Sequence, residues 1–331
     1  ASSLPHFLSV TFVSSALPLR FRASAVSIRL AQALSAKPNL HHGLVVGTFG
    51  RQYLVELAER EILTCFPRGK RSTLACGDRV EVARTAPGQG VVEAIDPRST
   101  LLYRSDQFRQ KLIAANVTQV VIVLAVVPSF YEELLNRCIA AAENQRLSLV
   151  IVLNKFDLAG ESKAAMDRLT LYSDLGYRVI PLAAKRDISP LRPALSGQAS
   201  VLVGQSGMGK STIINALVPG AGATTAEISA ALDSGRHTTT HARLYHLDEG
   251  ADLIDSPGMQ EFGLHHVTQQ DLAEAFIEFR PLLGQCRFHN CRHLVEPGCA
   301  IAQSAADGKI DARRLDAYRK LVREVDSGKP F

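Results

Sequence analysis

Between residues 42 and 96 apolar and polar positions alternate in short runs, at 43–49, 52–57, 79–83 and 90–95. Turn signals at Phe49-Gly50, Gly77-Asp78 and Pro87-Gly88 separate them. Runs this short predict strands that close into a small barrel. From Asn116 the pattern changes. Apolar runs at 120–125, 148–153, 179–182, 200–203, 243–247 and 252–254 predict strands, and helical periods at 131–144, 162–175, 210–217 and 269–279 lie between or after them. Alternation of this kind predicts a parallel sheet covered by helices. Residues 219–241 are rich in Gly, Ala, Ser and Thr and lack a core-facing period, so a mobile loop is expected there. Residues 310–325 read as an amphipathic helix, with Leu315, Tyr318, Leu321, Val322 and Val325 near one side and Arg313, Arg314, Arg319, Lys320 and Arg323 elsewhere. That helix is either packed with a solvated basic face or a surface for RNA phosphates.

Composition narrows the class without choosing a function. A chain of 331 residues, 46% apolar, has room for more than one core. Its longest apolar run, 120–127, suits a buried strand and falls far short of the roughly 20 residues of a membrane span. A net charge of +5 permits an anionic partner such as RNA. The barrel segment adds little to that charge, because Arg51, Arg60, Arg68, Lys70, Arg71, Arg79 and Arg84 are offset by seven acidic residues. The first 38 residues hold four basic and no acidic residues and superficially resemble an organellar leader, but no Met precedes Met166. A disordered or mis-started extension is the expectation for them. Six cysteines are too few for a disulfide-built domain, and three crowd beside histidines between 286 and 299, which favours metal in a reducing compartment. Cys65, Cys76 and Cys138 read as ordinary buried thiols.

The chemistry lies in the loops. Gly204, Gln205, Ser206, Gly207, Met208, Gly209, Lys210 and Ser211 match G-x-x-x-x-G-K-S between an apolar strand and a helix, with Thr212 following. Successive backbone N–H groups at the helix start can wrap a phosphate, Lys210 can neutralise it, and the Ser211 hydroxyl can ligate Mg²⁺. Asn154, Lys155, Phe156 and Asp157 follow a strand at the sheet's carboxyl edge. The Asp157 carboxylate can accept from both N1–H and the N2 amine of guanine, a donor pair that adenine lacks. Asn154 can address the purine's imidazole edge, and the Lys155 stem can pack on the base plane. Asp255-Ser256-Pro257-Gly258 offers a carboxylate to hold Mg²⁺ through water and a Gly258 amide for the γ-phosphate. One of Thr238, Thr239 and Thr240, with Thr239 or Thr240 favoured, is expected to close over the metal and γ-phosphate. Met259 stands where a water-orienting Gln follows D-x-x-G in other GTPases, so unaided hydrolysis is expected to be slow, with His237, His241 or an RNA group supplying the missing contact.

These motifs run in reverse of the usual order: the guanine loop first, then Leu182-Ala183-Ala184-Lys185, then the phosphate loop. The chain therefore reads as a circular permutation, which a site can survive because sheet neighbours, not chain order, bring the loops together. Cys286, Cys291, His293 and Cys299 form Cys-x₄-Cys-x-His-x₅-Cys, a full tetrahedral shell for one structural Zn²⁺, with His289 as the rival for the imidazole position. Two other readings remain open: an RNA-binding checkpoint that holds GTP without hydrolysing it, and an ATP-driven remodelling protein, against which Asp157 argues.

Together, residues 154–157, 204–212, Gly235-Arg236-His237-Thr238-Thr239-Thr240, 255–258 and the Cys/His cluster resemble the circularly permuted ribosome small-subunit-dependent GTPase family of bacteria. The resemblance spans about residues 40–325. It implies a multidomain chain with an OB-type barrel at 39–98, a permuted α/β P-loop GTPase core at 99–264 and a C-terminal α-helical zinc domain at 265–331, after an extension at 1–38. It also implies GTP hydrolysis to GDP and phosphate, stimulated by the 30S subunit during its late maturation, with contacts to 16S rRNA. A cytoplasmic monomer without a membrane partner is expected. In the family a Ser-Ala-Lys loop reads the base; here Ala183 replaces the Ser, while the Ala184 amide that would contact guanine O6 remains.

Overall fold

Alternating inward positions give five strands in the first folded segment: β1 (Leu40–Phe49), β2 (Gln52–Glu56), β3 (Ile62–Pro67), β4 (Arg79–Ala86) and β5 (Gln89–Ile95). In the computed structural model, which describes residues 39–69, 74–105, 110–221, 242–255, 264 and 267–327, they close in the order β1-β2-β3-β5-β4-β1. All pairs are antiparallel except β3–β5. Val45, Tyr53, Val55, Leu63, Val80 and Val82 fill the interior, each at most 1% exposed. A hairpin of β6 (Leu101–Ser105) and β7 (Gln110–Ala115) follows. It is tied to the barrel by the Ala115 N–H, which donates to the Cys76 carbonyl, and by the Asn116 side chain, which donates to the Gly77 carbonyl.

The second layer system is an open sheet. Its strands are β8 (Gln119–Ala125), β9 (Ser148–Asn154), β10 (Arg178–Pro181), β11 (Ala199–Val203), β12 (Ala242–His246) and β13 (Asp252–Asp255), in the order β10-β9-β8-β11-β13-β12. Every pairing is parallel except β12–β13. All seven residues of β8 are buried, as expected of a central parallel strand covered on both faces. The covering helices include α1 (Glu132–Asn144), α2 (Ala159–Asp174) and α3 (Lys210–Leu217). The end of β1 pairs with β12, Gly47 against Arg243 and Thr48 against Ala242, so barrel and open sheet form one eleven-stranded system. His246 reinforces the join, its ring nitrogens 2.7 Å from Asp252 and 3.1 Å from Glu56.

The last segment carries α4 (Gln269–Ala275), α5 (Ala300–Ala306) and α6 (Ala312–Ser327). Its apolar side chains join the core cluster of the open sheet rather than forming a core of their own. Phe276, Phe279 and Tyr318 pack ring against ring with centroids 5.1–5.4 Å apart. No helix of the described residues is long and apolar enough to cross a membrane.

Four features depart from the sequence expectation. The pattern at 62–67 announces no strand, yet β3 is needed to close the barrel, with only Leu63 and Cys65 buried along it. The β6–β7 hairpin was likewise not foreseen. The helix expected over 269–279 stops at Ala275, where Phe276 turns extended (φ −89°, ψ 96°), and a separate 3₁₀ stretch, Ile277–Leu282, follows it. Finally, Arg314, expected away from the apolar side of its helix, is 1% exposed. Its guanidinium bonds both oxygens of Glu278, at 2.5 and 3.1 Å, and Asn136 Oδ1 at 2.5 Å, and lies over the Phe276 ring. Lys320 and Arg313 pair with acidic side chains, and buried Arg137 of α1 meets Glu324 of α6 at 2.5 Å. Arg314, Lys320 and Arg313 thus turn toward α1, through Asn136, Glu133 and Glu132.

Candidate functional site

The carboxyl ends of β9, β11 and β13 bring together loops distant in the chain. Beyond β11, the 204–211 loop wraps into the N-terminus of α3, with Gly204, Gly207 and Gly209 at φ of 148°, 80° and 94°. Gly204 is obligatory on space alone, and Gly209 cannot gain a side chain without displacing Asn154. A Cβ at Gly204 would lie 2.2 Å from the Val123 carbonyl oxygen, and one at Gly209 would lie 2.3 Å from Asn154 Nδ2. Met208 sends its side chain into the core, so only its backbone faces the loop's concavity. Ser206 and Ser211 are exposed on the rim, Thr212 is half-buried, and Gln205 is half-buried with its carboxamide oxygen unpartnered.

Lys210 Nζ donates to the Gly204 and Gln205 carbonyls at 2.5 and 2.9 Å. Burial pushes its pKa down from the ordinary lysine value, against the opposing pull of Asp255. Burial likewise pushes the Asp255 carboxyl up, with the Lys210 charge pulling it back. Lys210 and Asp255 thus sense each other's charge in partly dehydrated surroundings near the N-terminus of α3, an environment that suits phosphate and a divalent ion.

Asn154 lies at the junction and is 2% exposed. Its Nδ2 donates to the Met208 carbonyl at 3.0 Å, and its Oδ1 accepts from the Ala184 N–H at 3.2 Å. One carboxamide thus cross-links the 154–157 loop, the 204–211 loop and the Ala183-Ala184-Lys185 loop. Lys155, in the left-handed region at φ 58°, donates to the Val127 and Gly207 carbonyls at 2.6 and 2.8 Å. The Phe156 N–H donates to the Leu182 carbonyl, and Asp157 pairs with Arg186 at 3.2 Å. Between these loops lies a cavity of about 260 Å³, walled by Asn154, Lys155, Asp157, Ala184, Gly209 and Thr212 among others. Thr239, Thr240, His237, His241, Gly258 and Met259 lie outside the described residues.

The ligand atoms of Cys286, Cys291, His293 and Cys299 all fall within 4.8 Å of one another. His293 Nδ1 is 3.5 Å from Cys286 Sγ and 3.4 Å from Cys299 Sγ, and none of the three cysteines is in a disulfide. Backbone N–H groups of Ala300 and Ala302 point at the sulfurs of Cys286 and Cys299, as suits thiolates. Three sulfurs and one nitrogen at this spacing fit a tetrahedral Zn²⁺, and His289 is not among the four. Cys65, Cys76 and Cys138 are buried with thiols pushed up by desolvation, Cys65 to about 11 and Cys138 to about 12.

Arg186, Val127 and the cross-linking use of Asn154 have no signature in the local sequence. The neighbours of Asn154 are 30 and 54 positions away, so no local spacing could have announced them.

A parallel sheet with a glycine-rich phosphate loop after β11, an Asn-Lys-x-Asp loop after β9 and a closed barrel ahead of both defines a P-loop GTPase in circularly permuted order. Residues 95–265 match the family model described as RsgA GTPase. The small ribosomal subunit biogenesis GTPase RsgA of Nitrosospira multiformis is 58% identical over 287 residues, covering 87% of this chain and 92% of that protein. Its counterpart in Nitrosomonas europaea is 52% identical over 292 residues, covering 87% and 93%. Among solved structures, YjeQ from Thermotoga maritima superposes with a TM-score of 0.66 at 30% identity, covering 86% of this chain and 98% of that one. YloQ, described as a circularly permuted GTPase, gives 0.65 at 25% identity, covering 88% and 97%. The chain belongs to the RsgA GTPase family and is a GTP-hydrolysing enzyme.

Proposed function

We propose that this GTPase acts on the 30S ribosomal subunit late in its maturation, contacting 16S rRNA, with hydrolysis stimulated by the subunit. The relatives' role in small-subunit biogenesis supports the partner. One observation carries the nucleotide reading: the Asn154 carboxamide joins the three loops that a guanine nucleotide must touch at once. In this reading Asp157 accepts from the guanine edge, the Ala184 N–H, which donates to Asn154 Oδ1 in this structure, turns to O6 when the base enters, and Lys155 and Phe156 shape the base pocket. The backbone from Gly204 to Gly209 cradles the phosphates, with Gln205, Ser206, Gly207 and Met208 contributing N–H groups and Thr212 flanking them. Lys210 neutralises charge on the β- and γ-phosphates. Mg²⁺, when bound, offsets the charge that develops on the transferred phosphoryl group. Ser211 would hold it directly, Asp255 through water. Gly258, Thr239, Thr240 and His237 keep the roles that the motifs suggest, at the γ-phosphate and the attacking water.

The barrel at 39–98 serves as the RNA-binding domain, 99–264 as the GTPase and 265–331 as a segment pinned by one structural Zn²⁺ on the four ligands above. The protein acts as a cytoplasmic monomer. Turnover of GTP with and without 30S subunits, with ATP as control, tests the proposal. Subunits should accelerate GTP hydrolysis strongly and ATP should not compete, while Asp157→Asn should cost guanine affinity about tenfold or more. Equal turnover with and without subunits would refute the role of the subunit.

A further inference from the structure

The segment that follows β8 belongs to none of the nucleotide motifs, yet two of them rest on it. The Val127 carbonyl accepts from Lys155 Nζ at 2.6 Å, the same ammonium that reaches the Gly207 carbonyl at 2.8 Å. The next residue, Pro128, lies against the phosphate loop, 3.8 Å from where a Cβ on Gly207 would stand. Val127 is 40% exposed, so burial alone does not hold this piece of backbone.

Arg168 of α2 holds it. Its three guanidinium nitrogens make three different contacts, each of 3.0 Å: Nη1 to Ser129 Oγ, Nη2 to the Phe130 carbonyl, and Nε to Glu132 Oε1. The guanidinium carbon also sits 4.0 Å above the centroid of the Phe130 ring, and that ring is itself buried. A helix-to-helix ion pair would need Glu132 alone. Here the planar fork is spread over the residues between Val127 and α1, in the geometry that arginine provides and lysine does not. Because α2 begins two residues after Asp157, the contacts form a closed ring. It runs from the guanine loop along α2 to Arg168, across to residues 129–132, back to Val127, and through Lys155 to both nucleotide loops.

We propose that Arg168 is a positioning residue of the nucleotide site, bracing the 127–132 segment so that the Val127 carbonyl fixes Lys155 between the guanine and phosphate loops. The inference rests on the guanine-nucleotide reading of the site. It assigns Arg168 an effect on nucleotide retention although the side chain reaches none of the nucleotide motifs.

The test uses the full chain and a fluorescent GDP analogue, reading the equilibrium affinity and the dissociation rate together with KM and kcat for GTP. Arg168→Met should speed GDP release and raise KM by about tenfold, with a much smaller change in kcat, the size expected when charged hydrogen bonds to one loop are lost. Arg168→Lys keeps the charge without the fork and should recover only part of the loss. It also carries the test if the Met variant does not fold. Placed on a Lys155→Met background, Arg168→Met should add less than about twofold, because its effect runs through Lys155. Unchanged GDP release in both Arg168 variants, or effects that multiply in the double variant, overturns the inference. Separately, if Asp157→Asn binds GDP as tightly as the parent, the guanine reading itself fails and takes this inference with it.

Discussion

Truncating Asn154 to Ala removes a side chain that bonds both neighbouring nucleotide loops at once, and the cost follows from what it leaves behind. The Met208 carbonyl and the Ala184 N–H lose partners at 3.0 and 3.2 Å, in residues that are 1% and 5% exposed. A buried polar group left unpaired costs about 1–3 kcal/mol, the carbonyl toward the lower end because an under-satisfied C=O is better tolerated than an orphaned N–H. Together the two predict a loss of about 2–4 kcal/mol in unfolding free energy, to be read from urea denaturation at unchanged m. Loosening the loops should also weaken GDP binding about tenfold or more, equivalent to about 1.4 kcal/mol. Asn154→Asp is the sharper probe: it keeps shape and one acceptor but turns a carboxylate oxygen toward the Met208 carbonyl in a buried place, and should do at least as much harm. If Asn154→Ala unfolds within about 0.5 kcal/mol of the parent and binds GDP equally well, these two bonds do not hold the loops together.

Two further outcomes follow from the C-terminal segment. Arg314→Met should destabilise the protein by about 3–5 kcal/mol, because the Glu278 carboxylate, 9% exposed, loses its counter-charge; adding Glu278→Leu should restore much of that. Arg314→Met as stable as the parent would show that the ion pair contributes nothing. Purified protein should contain one zinc per chain by elemental analysis. Cys299→Ser should lose the metal and expose the 265–331 segment to protease, whereas His289→Ala should keep it, and retention of zinc by Cys299→Ser would remove Cys299 from the ligand set.

The nucleotide motifs were legible because their chemistry is local. Glycines at fixed spacing before Lys210 and Ser211, and Asp157 three residues after Asn154, follow from the dimensions of a phosphate and a purine edge, whatever surrounds them. The zinc set was legible for the same reason, since tetrahedral geometry limits ligand spacing. The open sheet was legible because its central strands, β8, β9 and β11, are nearly continuous apolar runs bounded by turns. β3 was not, because its outward residues Ile62 and Phe66 are apolar as well as exposed, so the alternation of buried Leu63 and Cys65 with outward positions does not show as an apolar–polar period, and its place is decided by closure of the barrel.

By itself the sequence determined which residues can touch phosphate, guanine and zinc, and that their loops occur in permuted order. Tertiary structure alone decided what holds those loops in register. Asn154 bonds partners 30 and 54 residues away, Arg168 braces a segment 36–39 residues before it, and Arg314 becomes a buried counter-ion to Glu278 and a partner of Asn136, 178 residues distant. None of these side chains follows a local period. A polar group's partner is set by which strands and helices become neighbours, and that choice is made by burial of the apolar faces.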